Sequence, residues 1–171
     1  MTIQAVTSTV IRARVNGHDR EMLVPVRLTV AELLRDRLGL TGTKVSCEMQ
    51  VCGACTVLVD GDPVSSCVTL ACDLDGTEVL TVEGLARGRD LHPVQEAFMA
   101  ANALQCGFCT PGFIMMAVAL LEACPDAGKD EIREWMDGNL CRCTGYAPIE
   151  TAVTVAATRL AAAAATAEDG R

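Results

Sequence analysis

Aromatic side chains are scarce in this chain: three Phe, one Tyr and one Trp make up 3% of its 171 residues. All five (Phe98, Phe108, Phe113, Trp135 and Tyr146) fall after residue 90. The first half must therefore build its core from aliphatic side chains, which places a boundary near the middle. Histidine is scarcer still, with only His18 and His92. Two lone imidazoles far apart in sequence read as surface or cap residues rather than metal ligands. A basic stripe is also missing. Residues 1–84 and 85–171 each carry 7 basic and 11 acidic residues, giving a net charge of −8, which argues against nucleic-acid binding. The longest nearly apolar run, Phe113–Ala119 extended by Leu120 and Leu121, is far shorter than the ~20 residues a membrane span needs. No charged-then-apolar leader or twin-arginine pair opens the sequence, so a cytoplasmic, reducing setting is expected.

Cysteine, by contrast, is abundant. Eight of the ten cysteines fall into two quartets. The first is Cys47, Cys52, Cys55 and Cys67, spaced C-x4-C-x2-C-x11-C. The second is Cys106, Cys109, Cys141 and Cys143, spaced C-x2-C-x31-C-x-C. Clustered cysteines in a reducing compartment are more often metal ligands than disulfides. C-x4-C-x2-C with a later fourth cysteine is the plant-type [2Fe–2S] pattern. Zinc favours pairs spread over two knuckles, whereas the first quartet packs three thiols into one nine-residue loop. Gly53 and Ala54 are small enough for that loop's backbone to come close to sulfur. Spacing alone leaves the second quartet open between iron–sulfur and zinc, because Cys106-x2-Cys109 is a knuckle zinc also uses. Cys72 and Cys124 are left over and read as small buried hydrophobes.

The remaining pattern is that of an α+β chain. After a loose leader over residues 1–9, Val10–Val15 and Arg20–Val26 read as strands joined at Asn16-Gly17. Thr29 caps a short helix through Arg37, stopped by Gly39. Thr56–Val59 and Pro63–Val68 form a second hairpin about Asp60-Gly61, and Thr77–Val82 is a last strand. The second half is helical: Pro93–Leu104, a helix started by Thr110-Pro111 and running to Ala123, Asp130–Met136, and Pro148 to about Ala164. The Thr110–Ala123 helix is apolar all round and is expected to be central. The division is thus 1–84, 85–165 and a disordered tail over 166–171.

Four segments carry a specific resemblance. They are Cys47-Glu48-Met49-Gln50-Val51-Cys52-Gly53-Ala54-Cys55-Thr56-Val57, Gly61-Asp62-Pro63-Val64-Ser65-Ser66-Cys67, Ala103-Leu104-Gln105-Cys106-Gly107-Phe108-Cys109-Thr110-Pro111-Gly112 and Gly138-Asn139-Leu140-Cys141-Arg142-Cys143-Thr144-Gly145-Tyr146. In this order they resemble the small iron–sulfur subunit of the molybdenum hydroxylases, the xanthine dehydrogenase, carbon monoxide dehydrogenase and aldehyde oxidoreductase family, over about residues 10–160. The resemblance implies an N-terminal β-grasp, plant-ferredoxin-like domain followed by a C-terminal four-helix bundle, each holding one [2Fe–2S] cluster. It implies a large partner subunit with a molybdenum–pterin cofactor, a medium partner subunit with FAD, and a dimer of such heterotrimers. The helical-domain cluster would lie nearer molybdenum and the other nearer flavin. Gln105 and Cys143 match positions that touch the pterin. Gln50 departs from the family, which usually has a small residue there, often glycine.

On this reading the chain passes single electrons from the molybdenum–pterin centre to FAD and carries no catalytic residue of its own. A zinc-stabilised adaptor and a free ferredoxin-like shuttle are the alternatives. The substrate (a purine, N-heteroaromatic, aldehyde or carbon monoxide) and the final acceptor are set elsewhere.

Overall fold

The computed structural model describes residues 7–169, so most of the leader expected over residues 1–9 lies outside the described residues. Five strands form one mixed sheet in the order β2-β1-β5-β3-β4. β1 (Ser8–Val15) and β2 (His18–Pro25) are an antiparallel hairpin. Their turn is Asn16-Gly17, both with positive φ, as a two-residue hairpin requires. Ile11, Ala13 and Val15 of β1 are buried at alternate positions, which fixes the register. β3 (Thr56–Val59) and β4 (Asp62–Ser65) form the second hairpin, turning at Asp60-Gly61. β5 (Glu78–Leu80) inserts between the two hairpins, parallel to β1 and antiparallel to β3. β4 is an outer strand, and Pro63 stands in it opposite Leu58.

Between the hairpins Thr29 starts α1 (Val30–Glu32) with a capping box. Its hydroxyl accepts from the Glu32 N–H at 3.2 Å, and the Glu32 carboxylate accepts from the Thr29 N–H at 2.8 Å. The next turn, Leu33–Arg37, widens to π geometry rather than continuing as the expected α-helix. Val30, Leu33 and Leu34 are buried there with Ile11, Val57 and Val79. This first core is wholly aliphatic.

The second core gathers on α2 (Pro93–Ala100), α3 (Thr110–Ala123), α4 (Lys129–Met136) and α5 (Ala147–Asp169). α3 is central and buries Phe113, Met115, Val118 and Leu120 among others. Each such fully buried side chain contributes about 1.5–3 kcal/mol. Leu58 of β3 belongs to this core too, so the sheet and helices share packing through β3 and α3. α2 ends four residues before the expected Leu104, with Asn102 in the left-handed conformation just beyond it, a common helix stop. α5 is one helix through Asp169. Residues 166–169 therefore continue it where a disordered tail is expected, because alanine is the best helix former and the run propagates. Residues 170 and 171 lie outside the described residues.

Candidate metal centres

The first quartet is shaped by the loop that follows the π turn. Left-handed backbone at Glu48, Gln50 and Gly53 coils residues 47–55 back on themselves and aims amides inward. The Cys47 sulfur accepts from the N–H of Val51 and of Cys52, each at 3.4 Å. The Met49, Val51 and Cys52 amides together bring the Cys47 pKa down to about 6. Cys55, at the entrance to β3, and Cys67, just past β4, are buried and interact as a second pair. Ser66 is fully buried and its hydroxyl donates to the Cys55 carbonyl at 2.6 Å, tying the end of the hairpin to the loop. Burial pushes the Cys55 thiol up to about 11, with the Cys67 amide opposing. Coordination to a metal deprotonates such a thiol outright.

The second quartet meets at helix ends. The Cys106 and Cys143 sulfurs are 3.6 Å apart and exposed. Cys109, at the cap of α3, interacts with the buried Cys141 as the other pair. Burial, then the neighbouring Cys141, drives Cys109 up to about 12. Burial also works against ionisation at Cys141, but the Thr144 hydroxyl and amide outweigh it and its pKa is lowered. The Thr144 N–H donates to the Cys141 sulfur at 3.4 Å, and the Thr144 oxygen lies 3.1 Å from it. Contact with Cys106 raises Cys143.

The two quartets are joined by backbone. Leu140, next to Cys141, donates its N–H to the carbonyl of Cys52 at 2.9 Å. The buried Asn139 side chain donates to the carbonyl of Gly53 at 3.2 Å. A Cβ on Gly53 would strike Asn139, and one on Gly112 of α3 would strike the Gly53 carbonyl. Both positions need glycine for this close approach. Asn139, Thr144, Tyr146, Ser66 and Gly112 were not singled out from sequence. Their only signal was adjacency to the cysteines, which does not say what they touch.

The contacts between the sequence-predicted cysteines are thus pairwise: Cys47 with Cys52, Cys55 with Cys67, Cys106 with Cys143 and Cys109 with Cys141. Gln105 is exposed beside Cys106. Cys72 and Cys124 stand apart, as expected, but neither is a core residue. Both are half-buried, Cys72 facing the Val26 carbonyl at 3.8 Å and Cys124 the Glu131 carboxylate at 3.6 Å. Among the described residues no three His, Cys, Asp or Glu side chains converge as ligands of one metal ion; the quartet thiols meet in twos. Zinc gathers its ligands about one point, whereas a [2Fe–2S] cluster takes two thiolates on each iron. Four thiols in two pairs, with amides aimed at sulfur, fit the latter.

Comparison with known proteins agrees. The 2Fe-2S iron-sulfur cluster binding domain family matches residues 13–84, and the [2Fe-2S] binding domain family matches residues 81–154. The nicotine 6-hydroxylase small subunit of Paenarthrobacter nicotinovorans is 54% identical over 143 residues, covering 84% of this chain and 86% of that one. The chain belongs to the small iron–sulfur subunits of the molybdenum hydroxylases. Quinoline 2-oxidoreductase from Pseudomonas putida 86 superposes on this iron–sulfur subunit with a TM-score of 0.85 and 47% identity, covering 90% of this chain and 98% of that one. Aldehyde oxidoreductase from Desulfovibrio gigas superposes with a TM-score of 0.87 and 40% identity over 90% of the chain, which spans 17% of that longer polypeptide. The subunit is the electron-transfer part of a multi-subunit oxidoreductase. Among the described residues no helix is long and apolar enough to cross a membrane.

Proposed function

We propose that this subunit carries single electrons between a molybdenum–pterin centre on a large partner and FAD on a medium partner, in a cytoplasmic dimer of heterotrimers. Cys47, Cys52, Cys55 and Cys67 would hold one [2Fe–2S] cluster in a β-grasp domain over residues 1–84. Cys106, Cys109, Cys141 and Cys143 would hold the other in a four-helix bundle over 85–165. A [2Fe–2S] cluster supplies one-electron chemistry, and the residues around it supply position and potential.

The observation that carries this reading is the Leu140 to Cys52 hydrogen bond. It makes a short bonded path from a ligand of one quartet to a ligand of the other. A zinc-stabilised adaptor has no use for such a path, and a free shuttle has no use for a second site. The exposed pair, Cys106 and Cys143, lies at one end of the path. Its surroundings include Leu104, Phe108 and Leu140, large apolar side chains open to solvent, as a surface awaiting a partner would be. Gln105 stands beside them, and its amide can both donate to and accept from the edge of a pterin ring. Met49 and Val51, exposed beside Cys47, support a flavin-facing surface at the other end. The substrate lies in the large partner's pocket.

The test is metal and sulfide analysis of the purified complex, with low-temperature paramagnetic spectra after reduction. Two clusters require four irons, four labile sulfides and two distinct signals per chain. Zinc without sulfide would overturn the reading.

A further inference from the structure

The loop from Cys141 to Tyr146 closes on itself around one sulfur. The Tyr146 N–H donates to the Thr144 hydroxyl oxygen at 3.2 Å, filling one of its lone pairs. The hydroxyl proton is then left to point at the Cys141 sulfur 3.1 Å away. A ligating thiolate carries no hydrogen, so in the loaded subunit the hydroxyl must be the donor of that pair. Tyr146 is itself held firmly. Its φ is +69°, its ring meets Phe113 edge-on with centroids 6.2 Å apart, and its hydroxyl accepts from the Cys141 N–H at 3.0 Å. A non-glycine residue in left-handed backbone is strained and persists only where the surroundings demand it.

We propose that the Thr144 hydroxyl sets the reduction potential of the second cluster, raising it through its hydrogen bond to the Cys141 sulfur. The inference rests on the two-cluster reading. Reduction adds one electron and moves no proton, so negative charge grows on the sulfurs. A donor already aimed at sulfur stabilises the reduced form more than the oxidised form. The two sites differ in this respect. At Cys47 the donors to sulfur are backbone amides, those of Met49, Val51 and Cys52, which no substitution short of proline removes. At Cys141 a side chain adds to the amide, so sequence change can tune this cluster without the other. Thr144 is a positioning residue and touches no substrate.

The experiment is a dithionite titration of the intact complex, following each cluster's paramagnetic signal. In Thr144→Val the second cluster should become harder to reduce. The oxidised-to-reduced ratio at a fixed potential should rise about three- to ten-fold, the upper figure being 59 mV for one electron. The first cluster should not move, and Thr144→Ser should restore the wild-type value. An unchanged second-cluster potential in Thr144→Val overturns the proposal, whereas absence of both signals from wild type overturns the two-cluster reading instead. If Thr144→Val does not retain its second cluster, electron–nuclear double resonance on wild type after brief transfer to deuterated water decides. A rapidly exchanging deuteron coupled to that cluster supports the proposal, and its absence refutes it.

Discussion

Leu140 donates its backbone N–H to the carbonyl of Cys52 at 2.9 Å, and this contact depends on Gly112. Any side chain at 112 would push the Gly53 carbonyl, and the Cys52 peptide with it, away from α3. Gly112→Ala should therefore lower stability by about 1–3 kcal/mol, the usual cost of overpacking. It should also slow electron passage between the clusters while leaving the iron content unchanged. Thermal unfolding and the lag between bleaching of the two cluster signals after rapid mixing with reductant check both parts. An unaltered lag would mean the electron takes another route.

The cysteines sort by quartet. Cys52→Ala should remove only the first cluster's signal, leaving the second reducible from the pterin side. Cys72→Ser and Cys124→Ala should keep both clusters, with stability changes of about 1 kcal/mol. Iron quantitation with paramagnetic spectra reads all three variants. Loss of a signal in either of the last two would redraw the ligand assignment.

Gln105→Ala should retain full iron, because the amide is not a ligand. Losing one hydrogen bond of about 0.5–1.5 kcal/mol to the pterin should slow cluster reduction by substrate up to about ten-fold. Stopped-flow bleaching at full molybdenum occupancy measures it. An unchanged rate would make Gln105 a bystander on the exposed rim.

Acid should loosen the start of α2. The His92 ring nitrogen Nδ1 accepts from the Val94 N–H at 3.3 Å, while Gln95 accepts from the His92 N–H at 3.0 Å. Burial lowers the His92 pKa, against the pull of Glu122 and with help from Arg87. The folded pKa therefore lies below the unfolded value of about 6.5. Its stability contribution is complete above that value and is lost as pH falls through the folded pKa. Protonation also removes the acceptor from the cap. His92→Asn keeps a capping side chain without this titration. The melting temperature of wild type relative to the variant should fall between about pH 8 and about pH 5.5. Parallel curves would assign the acid sensitivity elsewhere.

Both hairpins and the four helices of the second half were legible from turn pairs and apolar periodicity. These are local signals. The π geometry of Leu33–Arg37 was not legible, since the same apolar spacing also fits an α-helix. Gln50 was read as a doubtful fit. It adopts φ +60°, the left-handed shape a glycine would take without strain, so the loop tolerates the larger residue instead of changing course. The joint between the two quartets was invisible, since Leu140 and Cys52 lie 88 positions apart and the contact uses only backbone. Residues 166–169 were read as a tail because they carry no apolar periodicity of their own, yet α5 runs on through Asp169.

Pro63 on the outer strand β4 has a consequence for how copies of this protein keep apart. A sheet edge is a template on which another chain can grow. A proline there has no N–H to offer, and the neighbouring Asp62 adds a charge that an incoming strand would have to bury. β4 is also only four residues long, too brief a rail for a second sheet to grip. Self-recognition by strand exchange is thus blocked at this margin.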